Sequence, residues 1–311
     1  MDVSKLCGWV PNPRASEAFI ASLPRPTFAQ AAPFLKGTAE NLDVFLWECE
    51  EKVLGKLLPA HSQVIGSCVS HGWGRGVQDL MLADIAVRLE NEKWVGEVAT
   101  EPIYAGSRVE IGGGQLGNED GSLGAWAAKW VSEYGILVRR KYGNIDLTRL
   151  DENLAKKWGN RGYGVPDELE PIAKEHPVKE VTLVTSFEEA RDLIGNWYPV
   201  PVCSMQGFTM TRDSSGFCRP EGTWAHCMVF RGCGIAKGNR PFLVCQQSWG
   251  ESPTGPNIIV LESGRQIKLP QGCFGVDASV ADRMLRGRDS FGVAGLKGFE
   301  RRKRPDTWLA M

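Results

Sequence analysis

Cys68 follows a Gly66-Ser67 turn and opens a stretch of helical spacing, far upstream of His226, which sits in the apolar run Trp224-Ala225-His226-Cys227, and of Gln247, which precedes Ser248-Trp249-Gly250. A thiol, an imidazole and a side-chain amide in that order are the three parts of a nucleophilic site. The thiol attacks, the imidazole moves protons, and the amide oxygen can accept the imidazole N–H and fix its tautomer. A free cysteine has a pKa of about 8.5, so the thiol needs a nearby imidazolium or the positive end of a helix to become a nucleophile. His61, His71, His176 and His226 are the four histidines. His71 lies three residues after Cys68 and could pair with it locally; His226 could reach it only from another part of the fold.

The helix that must present Cys68 is legible in its apolar stripe. Val69, Trp73, Val77, Met81, Ile85 and Leu89 recur every fourth position, with Ser67 as the expected N-cap. Gly72 and Gly74 weaken its first turns and are expected where the other half of the protein approaches closely. Another helix is expected over residues 40–56, with further helical stretches at 123–134, at 146–158 and, between two strands, at 187–194. Runs at 181–184, 199–202, 227–230, 242–245, 258–261 and 273–276 read as strands. Helices first and strands second is an α+β arrangement. It puts Cys68 in a helical half (about 38–175) and His226 in a strand-rich half (about 176–285), with a cleft between them. Residues 1–37, which hold Pro11, Pro13, Pro24, Pro26 and Pro33, read as an extended arm, and 286–311 as a C-terminal tail.

These segments resemble the papain-like cysteine peptidases over about residues 40–280. The resemblance implies a papain-like α+β fold, with an antiparallel sheet half, and a base supplied from a separate strand across the cleft, which favours His226. It implies catalytic roles for Cys68, His226 and Gln247, although the family carries asparagine where this chain has Gln247. Trp249 is expected to shield the His226–Gln247 bond, and Gln63 to serve as oxyanion donor beside the Cys68 backbone N–H. Gly121 and Ser122, in Asp120-Gly121-Ser122-Leu123, fall where the family has a Gly-Gly pair whose backbone binds a peptide substrate as an added strand. The implied function is a cysteine hydrolase, most naturally a peptidase, that forms a thioester and uses no cofactor or metal. Cysteine amidases and endopeptidases of cell-wall peptides share the same three roles. The Gly-Ser-Cys-Val-Ser-His-Gly stretch is also similar to papain-like proteins of tailed bacteriophages, which implies a second class: a virion component whose activity has faded, its arm gripping a neighbouring particle subunit.

Composition narrows the classes. With 42% hydrophobic and 23% charged residues and a net charge of −1, the chain suits a globular protein with no global field for nucleic acid or membrane. The basic run 301–304 reads as a solvated tail. No run reaches the length of a transmembrane helix and the N-terminus lacks a signal-peptide pattern, so a cytoplasmic or virion-associated protein with reduced cysteines is expected. The cysteines form no CxxC pair, which argues against zinc. Gly112–Gly117 fits GxGxxG literally but precedes no helix, so it is expected to be a loop and not a dinucleotide site.

Overall fold

The computed structural model describes residues 3–88 and 93–295. In chain order, the first part holds α1 (Pro13–Ser22), α2 (Phe28–Ala31), β1 (Val44–Phe45), α3 (Trp47–Leu54), α4 (Cys68–Arg88), α5 (Thr100–Gly106), α6 (Gly124–Glu133), β2 (Lys141–Tyr142), β3 (Ile145–Asp146), α7 (Glu152–Gly159) and α8 (Glu170–Ala173). The second part holds β4 (Glu180–Leu183), α9 (Phe187–Gly195), β5 (Val200–Phe208), β6 (Pro220–Ala236), β7 (Arg240–Gln246), β8 (Ile258–Val260), β9 (Gln266–Lys268), β10 (Cys273–Asp277), α10 (Ala278–Leu285) and β11 (Phe291–Ala294). Helices dominate the first part and strands the second, the α+β arrangement expected.

The strand β6 organises the sheet. Its 17 residues pair with β5 and then β1 along one edge and with β7 along the other, and β7 pairs with β10, all antiparallel. Register places Ser204 opposite His226 and Cys203 opposite Cys227. The helix α4 lies on this sheet, and Gly72 shows how closely. A Cβ there would stand 2.9 Å from both the Cys227 Sγ and the Met228 carbonyl oxygen. The expected close approach of the other half holds at Gly72, where β6 approaches, but not at Gly74, whose Cβ would meet Thr100 (2.9 Å) of α5 in the same half.

Beneath α4 the sheet carries a buried charge network. The Arg231 guanidinium donates to both Asp79 oxygens (2.9 and 2.7 Å), to Glu50 (2.9 Å) and to Gln246 (2.8 Å), all from buried side chains. Burial alone would lower the Arg231 pKa, but Asp79 and Glu50 more than reverse that and hold the cation.

Three expectations are corrected. Residues 13–22 are helical, not extended: the Asn12 side chain accepts from the Ala15 N–H (3.1 Å) and Pro13 occupies the first turn. Phe19, Ile20, Phe28 and Leu35 of this segment are buried in the core. The helix expected over 40–56 is shorter, because Val44 and Phe45 are taken into the sheet opposite Cys233 and Gly232. Within 286–311, Phe291–Ala294 forms β11 against β4; Leu89 and the basic run 301–304 lie outside the described residues.

Candidate functional site

Cys68 is the first residue of α4 and is fully buried. Two backbone N–H groups donate to its Sγ, Gly8 at 3.2 Å and Cys227 at 3.4 Å. The second comes from β6, one residue beyond His226, so the sheet delivers the histidine strand directly to the thiol. Burial pushes the Cys68 thiol well above its ordinary range, and the two N–H donors only partly oppose that.

Successive β6 residues point to opposite faces. Cys227 faces α4, as the Gly72 contact shows, and His226 with Trp224 faces the other way, onto Trp249. The Trp249 ring centroid lies 4.5 Å from that of His226 and 4.9 Å from that of Trp224. His226 is fully buried, and burial pushes its pKa down to about 3, with the charge of His71 adding to the effect. Neither ring nitrogen has a hydrogen-bond partner, and the same holds for Gln247 Oε1 and Trp249 Nε1. The Gln247 amide nitrogen instead donates to the Ser252 carbonyl at 3.0 Å. The three expected triad residues are thus brought to one region without being hydrogen-bonded to one another.

Gln63 is held at both ends. Ser248 donates to its Oε1, its backbone N–H donates to the Ser248 carbonyl (3.0 Å), and its Nε2 donates to the carbonyls of Ile65 (2.8 Å) and Leu6 (2.9 Å). The Gln63 amide nitrogen is thus committed to two backbone carbonyls. Gly121 and Ser122 end a loop fixed by the buried Arg108, which donates to the carbonyls of Gly117, Glu119, Gly121 and Gly159. The Ser122 backbone pairs with residues 8–10 as a single parallel bridge at Trp9.

Ser67 stands at the N-cap position of α4, its carbonyl accepting from the N–H of Ser70 (3.0 Å) and His71 (3.3 Å), but its hydroxyl donates to Glu152 at 2.6 Å instead of capping the helix. Glu152 also meets His71 Nε2 (2.8 Å), and His71 Nδ1 faces His61 Nδ1 at 2.9 Å. His71 is therefore committed to this side network. No local pattern signals this network, because Glu152 comes from α7, 81 residues away. Asp289, which accepts from Trp9, Ser16, Gly124 and Ala125, was equally invisible. Among the described residues no cluster of three or more metal-binding side chains occurs and no helix is long and apolar enough to cross a membrane. Residues 112–117 form turns after a π-helical stretch.

No family model and no curated protein sequence matches the chain. Solved structures do. Xylellain, a cysteine protease from Xylella fastidiosa, is similar over 94% of this chain and 97% of its own, at 12% identity and a TM-score of 0.51. The proform of the ragweed pollen cysteine protease Amb a 11 is similar over 94% of this chain and 77% of its own, at 14% identity and a TM-score of 0.56. Digestive procathepsin L 3 of Tenebrio molitor larval midgut is similar over 90% and 79%, at 14% identity and a TM-score of 0.50. The chain has the papain-like cysteine protease fold.

Proposed function

We propose that the chain is a cysteine hydrolase acting on peptide bonds, with Cys68 as nucleophile and His226 as the proton-transferring base and acid. The observation that carries this reading is the meeting of three elements at one sulfur. Cys68 opens α4, the β6 backbone next to His226 donates to its Sγ, and the Gly8 N–H donates to the same sulfur from the N-terminal segment.

In the reaction, the Cys68 proton passes to His226 and the thiolate adds to the substrate carbonyl carbon. Gln63 Nε2 and the Cys68 N–H hold the resulting oxyanion. The C–N bond then breaks, His226 returns its proton to the leaving nitrogen, and a thioester remains. Water, deprotonated by His226, adds to the thioester; the C–S bond breaks and the acid product leaves with the thiol restored. Gln247 Oε1 is the acceptor assigned to the imidazole N–H, and Trp249 covers that pair. The backbone of Gly121 and Ser122 pairs with the substrate strand. No cofactor takes part.

Hydrolysis of casein and of purified cell-wall peptide by the full chain, with Cys68→Ala and His226→Ala as controls, tests this reading. Turnover lost by at least a hundredfold in both variants supports it, and the better substrate identifies the acyl class. Equal residual turnover in wild type and Cys68→Ala sinks it. A second reading, a silent structural component such as a phage particle subunit, draws on a specific observation: Gln247 Oε1 and both His226 nitrogens are buried without partners. It expects no turnover on either substrate.

A further inference from the structure

A run of titratable side chains that the proposed reaction does not use leads from the surface to the residue before Cys68. Glu97 faces His61 Nε2 at 3.9 Å, and His61 Nδ1 meets His71 Nδ1 at 2.9 Å. His71 Nε2 meets one Glu152 oxygen at 2.8 Å, and the other Glu152 oxygen accepts from the Ser67 hydroxyl at 2.6 Å. The Glu97 side chain is 33% exposed and that of His61 16%, while those of His71 and Glu152 are at 1% and 7%. Protons therefore enter the run at its Glu97–His61 end.

The two histidines belong to different parts of the site. His71 lies on α4, within a turn of Cys68. His61 lies on a short backbone ribbon: its carbonyl accepts from the Gly250 N–H (2.8 Å), Ser62 pairs with Trp249, and the Gln63 N–H donates to the Ser248 carbonyl (3.0 Å). One side of the ribbon carries Gln63 and the other follows directly on Gln247. Two side-chain bonds tie residues 59–61 to α4. They are the His61–His71 contact and the bond from Arg75 to the Pro59 carbonyl at 3.0 Å.

The number of protons decides whether the histidine contact holds. Burial alone would raise the Glu152 pKa, but the bond and charge of His71 and the bond from Ser67 outweigh it and lower the value. As a carboxylate Glu152 only accepts, so His71 Nε2 carries a proton. Between the two Nδ1 atoms, 2.9 Å apart, there is room for one more. With one, the contact is an N–H···N bond. With two, a pair of cationic donors face each other and the contact is lost. The groups around His61 set where that happens: burial pushes its pKa down to about 4, Glu97 opposes the fall, and the charges of His71, Arg75 and Arg139 add to it. His71 in turn faces Glu152 of α7 and lies within charge range of His226 on β6.

We propose that His61 and His71 are positioning residues, a one-proton clasp that holds the ribbon of Gln63 and Gln247 against the helix of Cys68 and releases it when both rings become cationic. The clasp rests on the hydrolase reading only for its effect on turnover, and it is read without a substrate. The full chain, His61→Ala and His61→Asn are compared from pH 7 to 3.5. Imidazole nitrogen-15 spectra follow the ring protons, and amide hydrogen exchange, corrected for its intrinsic pH dependence, follows Gln63 and Gly250. Casein hydrolysis is measured on the same samples at pH 6.5. An asparagine amide donates to a neutral His71 and, turned over, accepts from a charged one, so His61→Asn keeps the clasp throughout. In wild type, exchange at Gln63 and Gly250 is expected to rise at least tenfold as the second ring takes up its proton. In His61→Ala it is already raised at pH 7, and in His61→Asn it stays low. Exchange in β4 and β11 does not follow, which separates release of the clasp from acid unfolding. Turnover lowered at least tenfold in His61→Ala and restored in His61→Asn, beside that exchange pattern, supports both readings; a misplacement of about 1 Å is enough for such a loss. The same exchange pattern with no turnover in any sample supports the clasp and removes the hydrolase reading. If His61→Ala does not fold, the contrast between wild type and His61→Asn in acid decides. A wild-type profile flat to pH 3.5, or a His61→Asn profile that tracks wild type, overturns the proposal.

Discussion

The imidazole of His226 packs against the indole of Trp249 with ring centroids 4.5 Å apart and planes inclined by 36°, and both ring nitrogens of the histidine lack a hydrogen-bond partner. An aromatic wall on one side and full burial on the others make protonation costly, which sets how the protein responds to acid.

The ordinary histidine value is 6.5 and that of His226 is about 3, so the unfolded chain takes up a proton in a range where the folded chain does not. The stability that comes from keeping this group neutral is complete above pH 6.5 and is lost as the pH falls toward 3. The loss is about 1.4 kcal/mol for each unit below 6.5. Asp289, pushed up to about 6 by burial, acts in the opposite sense between its ordinary 3.8 and 6. The clean measurement is therefore a difference. Melting temperatures of wild type and His226→Gln from pH 7.5 to 4.5 are expected to diverge, with wild type losing more on acidification. Parallel profiles would show that His226 is solvated.

The network around Arg231 is a stability prediction. Asp79→Ala leaves a buried guanidinium with Glu50 and Gln246 as its remaining side-chain partners. Breaking a buried ion pair on one side costs about 3–5 kcal/mol. For a chain of this size that is a fall in melting temperature on the order of 10 °C. Replacing Arg231 by Met together with Asp79→Leu removes both charges of that pair, leaves Glu50 with Arg75 (3.4 Å), and is expected to recover part of the loss. A double change no better than the single one would place the strain in packing and not in the orphaned charge.

Gly72→Val tests the seat of α4 on the sheet. Its Cβ would stand 2.9 Å from the Met228 carbonyl oxygen, which belongs to β6 and cannot rotate away. Overpacking of this kind costs about 1–3 kcal/mol. Because Met228 lies two residues beyond His226, the change is also expected to alter the rate of Cys68 alkylation. Identical melts for wild type and Gly72→Val would mean that helix and sheet slide apart freely.

What could be read from the sequence follows the range of the interactions involved. The α4 stripe and the Cys68 position rest on neighbours a few residues apart, and they were legible. The core strands 227–230 and 242–245 were legible too, as short apolar runs. The 17-residue length of β6 was not, because polar residues such as Glu221 and Thr223 are held in the strand by pairing with β5. Asn12 and Pro13 carry a helix-start signal that the surrounding prolines obscured. Trp9 gives no local sign of its contact, since its partner Asp289 is 280 residues away. The distance between Gln247 and His226 depends on a turn after β7 and has no sequence signature at all.

Arg108 supplies the last prediction. It is a buried cation whose four side-chain hydrogen bonds go entirely to backbone carbonyls, at Gly117, Glu119, Gly121 and Gly159, with its guanidinium carbon 4.9 Å from the centroid of the Tyr104 ring. Three of those carbonyls belong to the loop that ends in Ser122, so the planar fork sets the height at which Ser122 presents its N–H and C=O to the strand lying on it. Lysine keeps the charge but offers a single point donor in place of the fork. Arg108→Lys is therefore expected to loosen the loop, with amide hydrogen exchange at residues 117–122 rising at least tenfold and the Gly8–Ser122 pairing weakening with it. Cys68 alkylation should rise in step, while exchange in β7 and β10, which Arg108 does not touch, stays as in wild type. Exchange that rises everywhere would mean a general loss of stability; exchange unchanged at 117–122 would remove Arg108 from the positioning of this loop.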